Sequence, residues 1–189
     1  MELTETLYVP DRVKWRAWLQ RNHERKKEIW LIYYNKASGR KRIPYNDAVD
    51  EALCFGWIDS TVKKIDHHRF AQRFTPRRRT SSLSQLNKER VRKLLAEGKM
   101  TPAGLKAISH VFKPHEDKID FKIPKGIMAA IKKDESAWKH FQSLPESYKR
   151  IRIAYILDRK GWGIKEFKAS LKYFIKMTAK GKRIGFVRE

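Results

Sequence analysis

The sequence predicts an α+β fold, a small sheet with packed helices followed by a helical C-terminal segment, and three observations predict it. Residues 29–35 (Ile-Trp-Leu-Ile-Tyr-Tyr-Asn) are apolar in both alternating sets, as in a strand covered on both faces. Residues 57–75 read as two further strands around an Asp66-His67-His68 turn, the second of them alternating with a period of two. From Pro124 onward the apolar residues recur at helical spacing.

In chain order, Asp11 offers an N-cap for a first helix whose broad apolar face holds Val13, Trp15, Ala17, Trp18 and Leu19. The strand over 29–35 follows, then a turn at Ala37-Ser38-Gly39 beside Arg40, Lys41 and Arg42. A helix over 45–55 directs Ala48, Val49, Ala52, Leu53 and Phe55 inward, and Gly56 is placed to end it in a left-handed conformation. The strand over 57–65 completes a right-handed βαβ crossover if it runs parallel to the first. In the strand over 69–75, Phe70 and Phe74 share one face, which sends Arg69 and Arg73 to the other, expected to be wet.

Ser82 and Gln85 have capping-box spacing ahead of a helix that stops at Gly98, and Thr101-Pro102 starts a short helix expected to run through Val111. Residues 1–112 are thus expected to form the α+β domain, 113–123 a linker without period, and 124–189 a helical segment. In that segment Ser143-Leu144-Pro145-Glu146 starts one helix, and Gly161-Trp162-Gly163 precedes the last.

Composition narrows the function. Lys and Arg number 44 against 21 Asp and Glu, a net charge of +23 with a pI near 10.2. Such an excess attracts polyanions: nucleic acid, an anionic lipid surface or an acidic protein. Acidic residues in Met-Glu-Leu-Thr-Glu-Thr stand where a secretory signal needs lysines and an apolar run, no stretch reaches membrane-span length, and the single Cys54 fits a reducing compartment. A cytoplasmic location is expected.

Chemistry-bearing signatures are sparse. Adjacent His67 and His68 point to opposite faces if extended, and no Cys or His follows at ligand spacing, so no metal site is expected even with Asp59 and Asp66 in view. Cys54 falls in the later turns of its helix, where the dipole disfavours a thiolate, and reads as a buried structural thiol. Gly161-Trp162-Gly163 lacks the spacing of a phosphate loop. No catalytic residue and no cofactor are expected. The strongest constellation is cationic: Lys63, Lys64, Arg69, Arg73, Arg77, Arg78 and Arg79, expected to form a polyanion-contact stripe down the third strand and its exit.

The chain resembles the bacterial YdeI/OmpD-associated proteins, also called bacteriocin-protection proteins. The resemblance lies in Glu-Ile-Trp-Leu-Ile-Tyr-Tyr-Asn-Lys (28–36), in the Glu-Ala-Leu-Cys-Phe-Gly-Trp-Ile-Asp core of 51–59 and in Phe-Thr-Pro-Arg-Arg-Arg (74–79) with the helix that follows. It continues more weakly around residues 135–150. It implies a small α+β domain with a helical C-terminal segment and a link to envelope stress or antimicrobial-peptide protection. It supplies no reaction, cofactor or catalytic residue. Two functional classes follow: a non-catalytic basic protein that engages a polyanion such as nucleic acid, or an enzyme or small-ligand binder with a pocket between the sheet and the C-terminal helices. The charge favours the first.

Overall fold

The computed structural model describes residues 2–114 and 121–185. They fall into two compact units, Met1–Leu83 with Arg90–Asp117, and Ser84–Glu89 with Lys118–Glu189. Part of the expected linker, residues 115–120, lies outside the described residues.

The fold is α+β. In chain order the first unit begins with strand β1 (Thr6–Leu7), helix α1 (Arg12–Asn22), strand β2 (Ile29–Tyr34), helix α2 (Tyr45–Cys54) and strands β3 (Trp57–Lys64) and β4 (Arg69–Pro76). Helices α3 (Gln85–Ala96) and α4 (Pro102–Ile108) follow. The sheet order is β1-β2-β4-β3. β1, which has no periodicity to announce it, pairs in parallel with β2 (Leu7 opposite Leu31), and β4 is antiparallel to both β2 and β3. β2 and β3 therefore run parallel to each other, but not as neighbours: β4 sits between them. The unit is a βαβ split by the strand that comes next in the chain.

That insertion is made by the β3–β4 hairpin. The Asp66 carboxylate accepts the amides of His68 (2.8 Å) and Arg69 (2.7 Å), the local bond that Asx turns use. β3 is left on the rim, with Val62 exposed, one extra residue between Asp59 and Val62, and Lys63-Lys64 at its end. A bulge and lysines on an edge strand discourage pairing with another chain.

The core lies on one face of the sheet. Ile29, Leu31 and Tyr33 of β2 and Phe74 of β4 pack with Trp15 and Leu19 of α1 and Ala48, Val49, Ala52 and Leu53 of α2. Trp15 stacks on Trp18 (5.2 Å between centroids) and donates its indole N–H to the Ala48 carbonyl at 3.0 Å, tying α1 to α2. The opposite face is not open water either: Trp30 and Ala71 are 0% exposed. The expected wet face of β4 is thus half closed, because β4 is an interior strand and its arginines flank a fully buried alanine.

Helix ends follow sequence signals at most points. Asp11 caps α1 through Lys14 N (2.9 Å), and Thr101 caps α4 through Gly104 N (3.2 Å) with Pro102 at the first helical position. The capping-box expectation at Ser82 fails. α3 starts later, and Ser84 is the residue whose hydroxyl accepts from Asn87 N (3.3 Å) and whose carbonyl accepts from Lys88 N (2.9 Å). α4 ends at Ile108, short of Val111. At the end of α2, Gly56 takes φ 75°, and Cys54 O accepts both the amide (3.2 Å) and the hydroxyl (2.6 Å) of Thr101.

The second unit holds α5 (Lys125–Lys132), α6 (Glu135–Ser143), α7 (Glu146–Asp158) and α8 (Ile164–Ala179). Ile127, Ile131, Phe141, Tyr148, Ile153, Ile156 and Phe174 form its core, and Asp134 caps α6 through Ala137 N at 2.9 Å. Tyr155, on the same helix as Tyr148 and Ile156, is exposed.

Gly104 tests the seating of α4. A Cβ there would stand 2.2 Å from the Cys54 carbonyl oxygen, whereas a Cβ at Gly126 would meet nothing. Gly104→Ala should lower unfolding free energy by about 1–3 kcal/mol, and Gly126→Ala should leave it unchanged or raise it by up to about 1 kcal/mol. Urea denaturation of both variants measures the contrast; a neutral Gly104→Ala would refute the close approach.

Candidate anion-binding surfaces

The seven expected cations do not form one solvated stripe. Arg69 pairs with Asp66 at 2.7 Å inside the hairpin. Arg73 crosses to Glu28, its Nε donating to Oε2 at 2.7 Å, and the pair holds the Glu28 carboxyl below the usual range after the larger contribution of the Thr4 hydroxyl. Arg77 is buried, and its Nη2 donates to the Ser82 carbonyl. Lys63 is half-buried and engaged by neighbours. Lys64, Arg78 and Arg79 are exposed and form no ion pair among the described residues. The physical reason is the closed face of β4: a guanidinium at a half-buried position takes a carboxylate rather than water.

Other arginines of the first unit are used in the same way. Glu51, 1% exposed, accepts from Arg12 and from Arg16 Nη1 (2.7 Å), and Arg16 also donates to the Lys99 carbonyl at 3.0 Å. Arg90 reaches Asn46 Oδ1 at 2.6 Å and Asp50 at 3.4 Å. Cys54 ends α2 fully buried, and burial, then Glu51, pushes its thiol up to about 11. It is a poor nucleophile. No group of three His, Cys, Asp or Glu side chains among the described residues could hold a metal ion.

The second unit spends its charge differently. Along α8 and its C-cap, Lys168, Lys172, Lys176 and the cap residue Lys180 recur every fourth residue, with Lys165 on the same exposed side, while Phe174 and Thr178 turn inward. These lysines form no ion pair among the described residues, and Glu166 is the acidic residue of the helix. Like charges at that spacing repel by a few tenths of a kcal/mol per pair, which the helix dipole offsets for Lys176 and Lys180 at the C-terminal end. Lys168 to Lys180 covers about 18 Å at the α-helical rise. Beside it, Arg159 lies over Tyr155 (4.4 Å) and over Trp162 (4.9 Å), and Trp162 and Tyr173 are 75% and 54% exposed. Sequence reading passed over the row by taking this helix for its apolar stripe alone; the four-residue lysine period was the available signal.

Residues 7–107 match the family model described as Domain of unknown function (DUF8412). Residues 120–181 match Bacteriocin-protection, YdeI or OmpD-Associated. The chain belongs to the first family and carries a YdeI/OmpD-associated domain at its C-terminal side. The expected resemblance therefore holds, but on the stretch where the quoted motifs were weakest; the motifs of residues 28–79 fall under the domain of unknown function. No curated protein and no solved structure matches the chain. No helix of the described residues is long and apolar enough to cross a membrane.

The thiol has two measurable consequences. The fold favours its protonated form, so the stability this supplies is full below the ordinary thiol pKa of 9.0 and is lost as pH rises from there towards about 11. Cys54→Ala should flatten that alkaline decline and cost about 1–2 kcal/mol at neutral pH. Alkylation of the native thiol at pH 8 should be slow and should become fast only in denaturant; rapid native labelling would show an accessible thiolate.

Proposed function

We propose that this protein is a non-catalytic basic binding protein of the cytoplasm, with a bacteriocin-protection role, and that it engages single-stranded nucleic acid through the exposed side of α8. The observation that carries this reading is the lysine row Lys168–Lys172–Lys176–Lys180, unpaired and flanked by exposed rings. Lysines along a line follow a phosphate backbone, and aromatic faces stack on unpaired bases of any sequence. Trp162 and Tyr173 supply faces of that kind, and Arg159 beside Trp162 adds a planar cation that stacks in the same way. A second contact, at Lys64, Arg78 and Arg79, rests on their exposure and lack of carboxylate partners.

Binding to a single-stranded oligonucleotide should weaken with salt by a slope of about −0.7 in log K per log salt for each phosphate contact. Lys168→Gln, Lys172→Gln and Lys176→Gln together should flatten that slope by about 2. Trp162→Ala should lower affinity and leave the slope unchanged. Arg78→Gln with Arg79→Gln measures the second contact by the same readout. Identical slopes for the wild type and the triple lysine variant would place the contact elsewhere.

A further inference from the structure

The later turns of α7 and the turn that follows bring together two arginines around one ring. Arg152 lies on α7, and Arg159 opens the 3-10 turn Arg159–Trp162 that leads into α8. Their Cζ atoms lie 4.7 and 4.4 Å from the same centroid, that of the Tyr155 ring. Arg159 Nη2 also donates to the Tyr155 hydroxyl, and its Cζ lies 4.9 Å from the Trp162 ring centroid. Arg152, Tyr155, Arg159 and Trp162 are thus one connected group, each touching the next.

No carboxylate reaches this group among the described residues. Arg152 is 9% exposed, and its Nε is buried without an acceptor. Asp158 is exposed and forms no ion pair with either arginine. The Glu166 carboxylate is turned to the start of its own helix, where a Cβ on Gly163 would stand 2.6 Å from Oε2. Arg73, Arg90 and Arg150, which are also partly buried, each hold a carboxylate. Two guanidiniums on one ring repel, and the π face offsets only part of that repulsion.

Guanidinium forks suit phosphate oxygens, and a phosphomonoester carries close to two negative charges at neutral pH. A phosphodiester inside a strand carries a single charge, and its two ester arms hinder approach to so buried an arginine. Trp162 is 75% exposed with Arg159 over its ring, which leaves the other face open to a base. We propose that Arg152, Arg159 and the Tyr155 hydroxyl bind a phosphomonoester, with the base of the same nucleotide stacked on Trp162. The phosphate is the end of a strand or that of a free mononucleotide. In the strand-end form the site rests on the reading of α8 as a single-strand contact; in the mononucleotide form it stands alone.

The test measures binding of the full chain to a thymidine octamer carrying a 5′-phosphate, a 3′-phosphate or neither. An unphosphorylated nonamer controls for added charge, and adenosine 5′-monophosphate against adenosine forms the second arm. A phosphate on one end should tighten binding by about tenfold, and the extra nucleotide of the nonamer by less than about twofold. Arg159→Gln and Arg152→Gln, each checked for folding by its unfolding midpoint, should erase the gain. Tyr155→Phe should reduce it, whereas Lys172→Gln with Lys176→Gln should weaken every strand and keep it. Strands that bind equally with and without the phosphate, and no preference for the mononucleotide over adenosine, would overturn the proposal and leave the α8 reading intact. A gain that survives in both arginine variants would also overturn it. Mononucleotide binding without strand binding would overturn the α8 reading alone, and no binding of any probe would overturn both.

Discussion

A carboxylate removed from water sets the arrangement of the first unit. Glu51 sits on α2 with Arg12 and Arg16 of α1 both donating to it, and Arg16 continues to the Lys99 carbonyl ahead of α4. Burial alone would lower the pKa of both arginines; Glu51 outweighs it and raises them. Removing both arginines would leave an uncompensated buried carboxylate, a loss of about 3–5 kcal/mol. The clamp fixes α1 against α2, which sets Trp15 over Phe74 and the Ala48 carbonyl. It also holds the segment whose Thr101 closes the end of α2 at Cys54. The sheet core and the position of α4 follow from that junction.

The same constraint explains how a chain of net charge +23 divides its cations. Arginine keeps its charge when desolvated and offers several fixed donors, so it suits half-buried positions where a carboxylate or carbonyl is within reach. Arg12, Arg16, Arg73 and Arg90 fill that role in the first unit. Lysine keeps a hydrated head on a flexible stem, and the exposed side of α8 is built from it. Counting charge therefore overstates what the first unit presents to a partner and understates how concentrated the charge of the second unit is.

Much of the fold was legible because its signals are local. The doubly apolar run at 29–35, the Asp66 turn, Gly56, and Thr101-Pro102 each dictate a conformation within a few residues, and each element formed where its signal lies. Strand order was not legible: whether β3 lies beside β2 or across β4 depends on pairing between distant residues, which periodicity does not encode. The cationic stripe misled for the same reason. Alternation of Phe70 and Phe74 with Arg69 and Arg73 fixes which face each side chain takes, but not that Ala71 on the arginine face is buried or that Glu28 waits across the sheet. Arg77 carried no local mark of burial at all. The lysine row on α8 was readable by spacing alone.

Lysine footprinting decides most directly whether that row is the contact surface. The protein would be treated with an amine-reactive reagent with and without single-stranded oligonucleotide, and modification quantified at each lysine. Protection concentrated at Lys168, Lys172 and Lys176, with Lys26 and Lys99 (each already paired with a carboxylate) unchanged, is the expected result. Protection centred on Lys64, or spread evenly over all lysines, would contradict it.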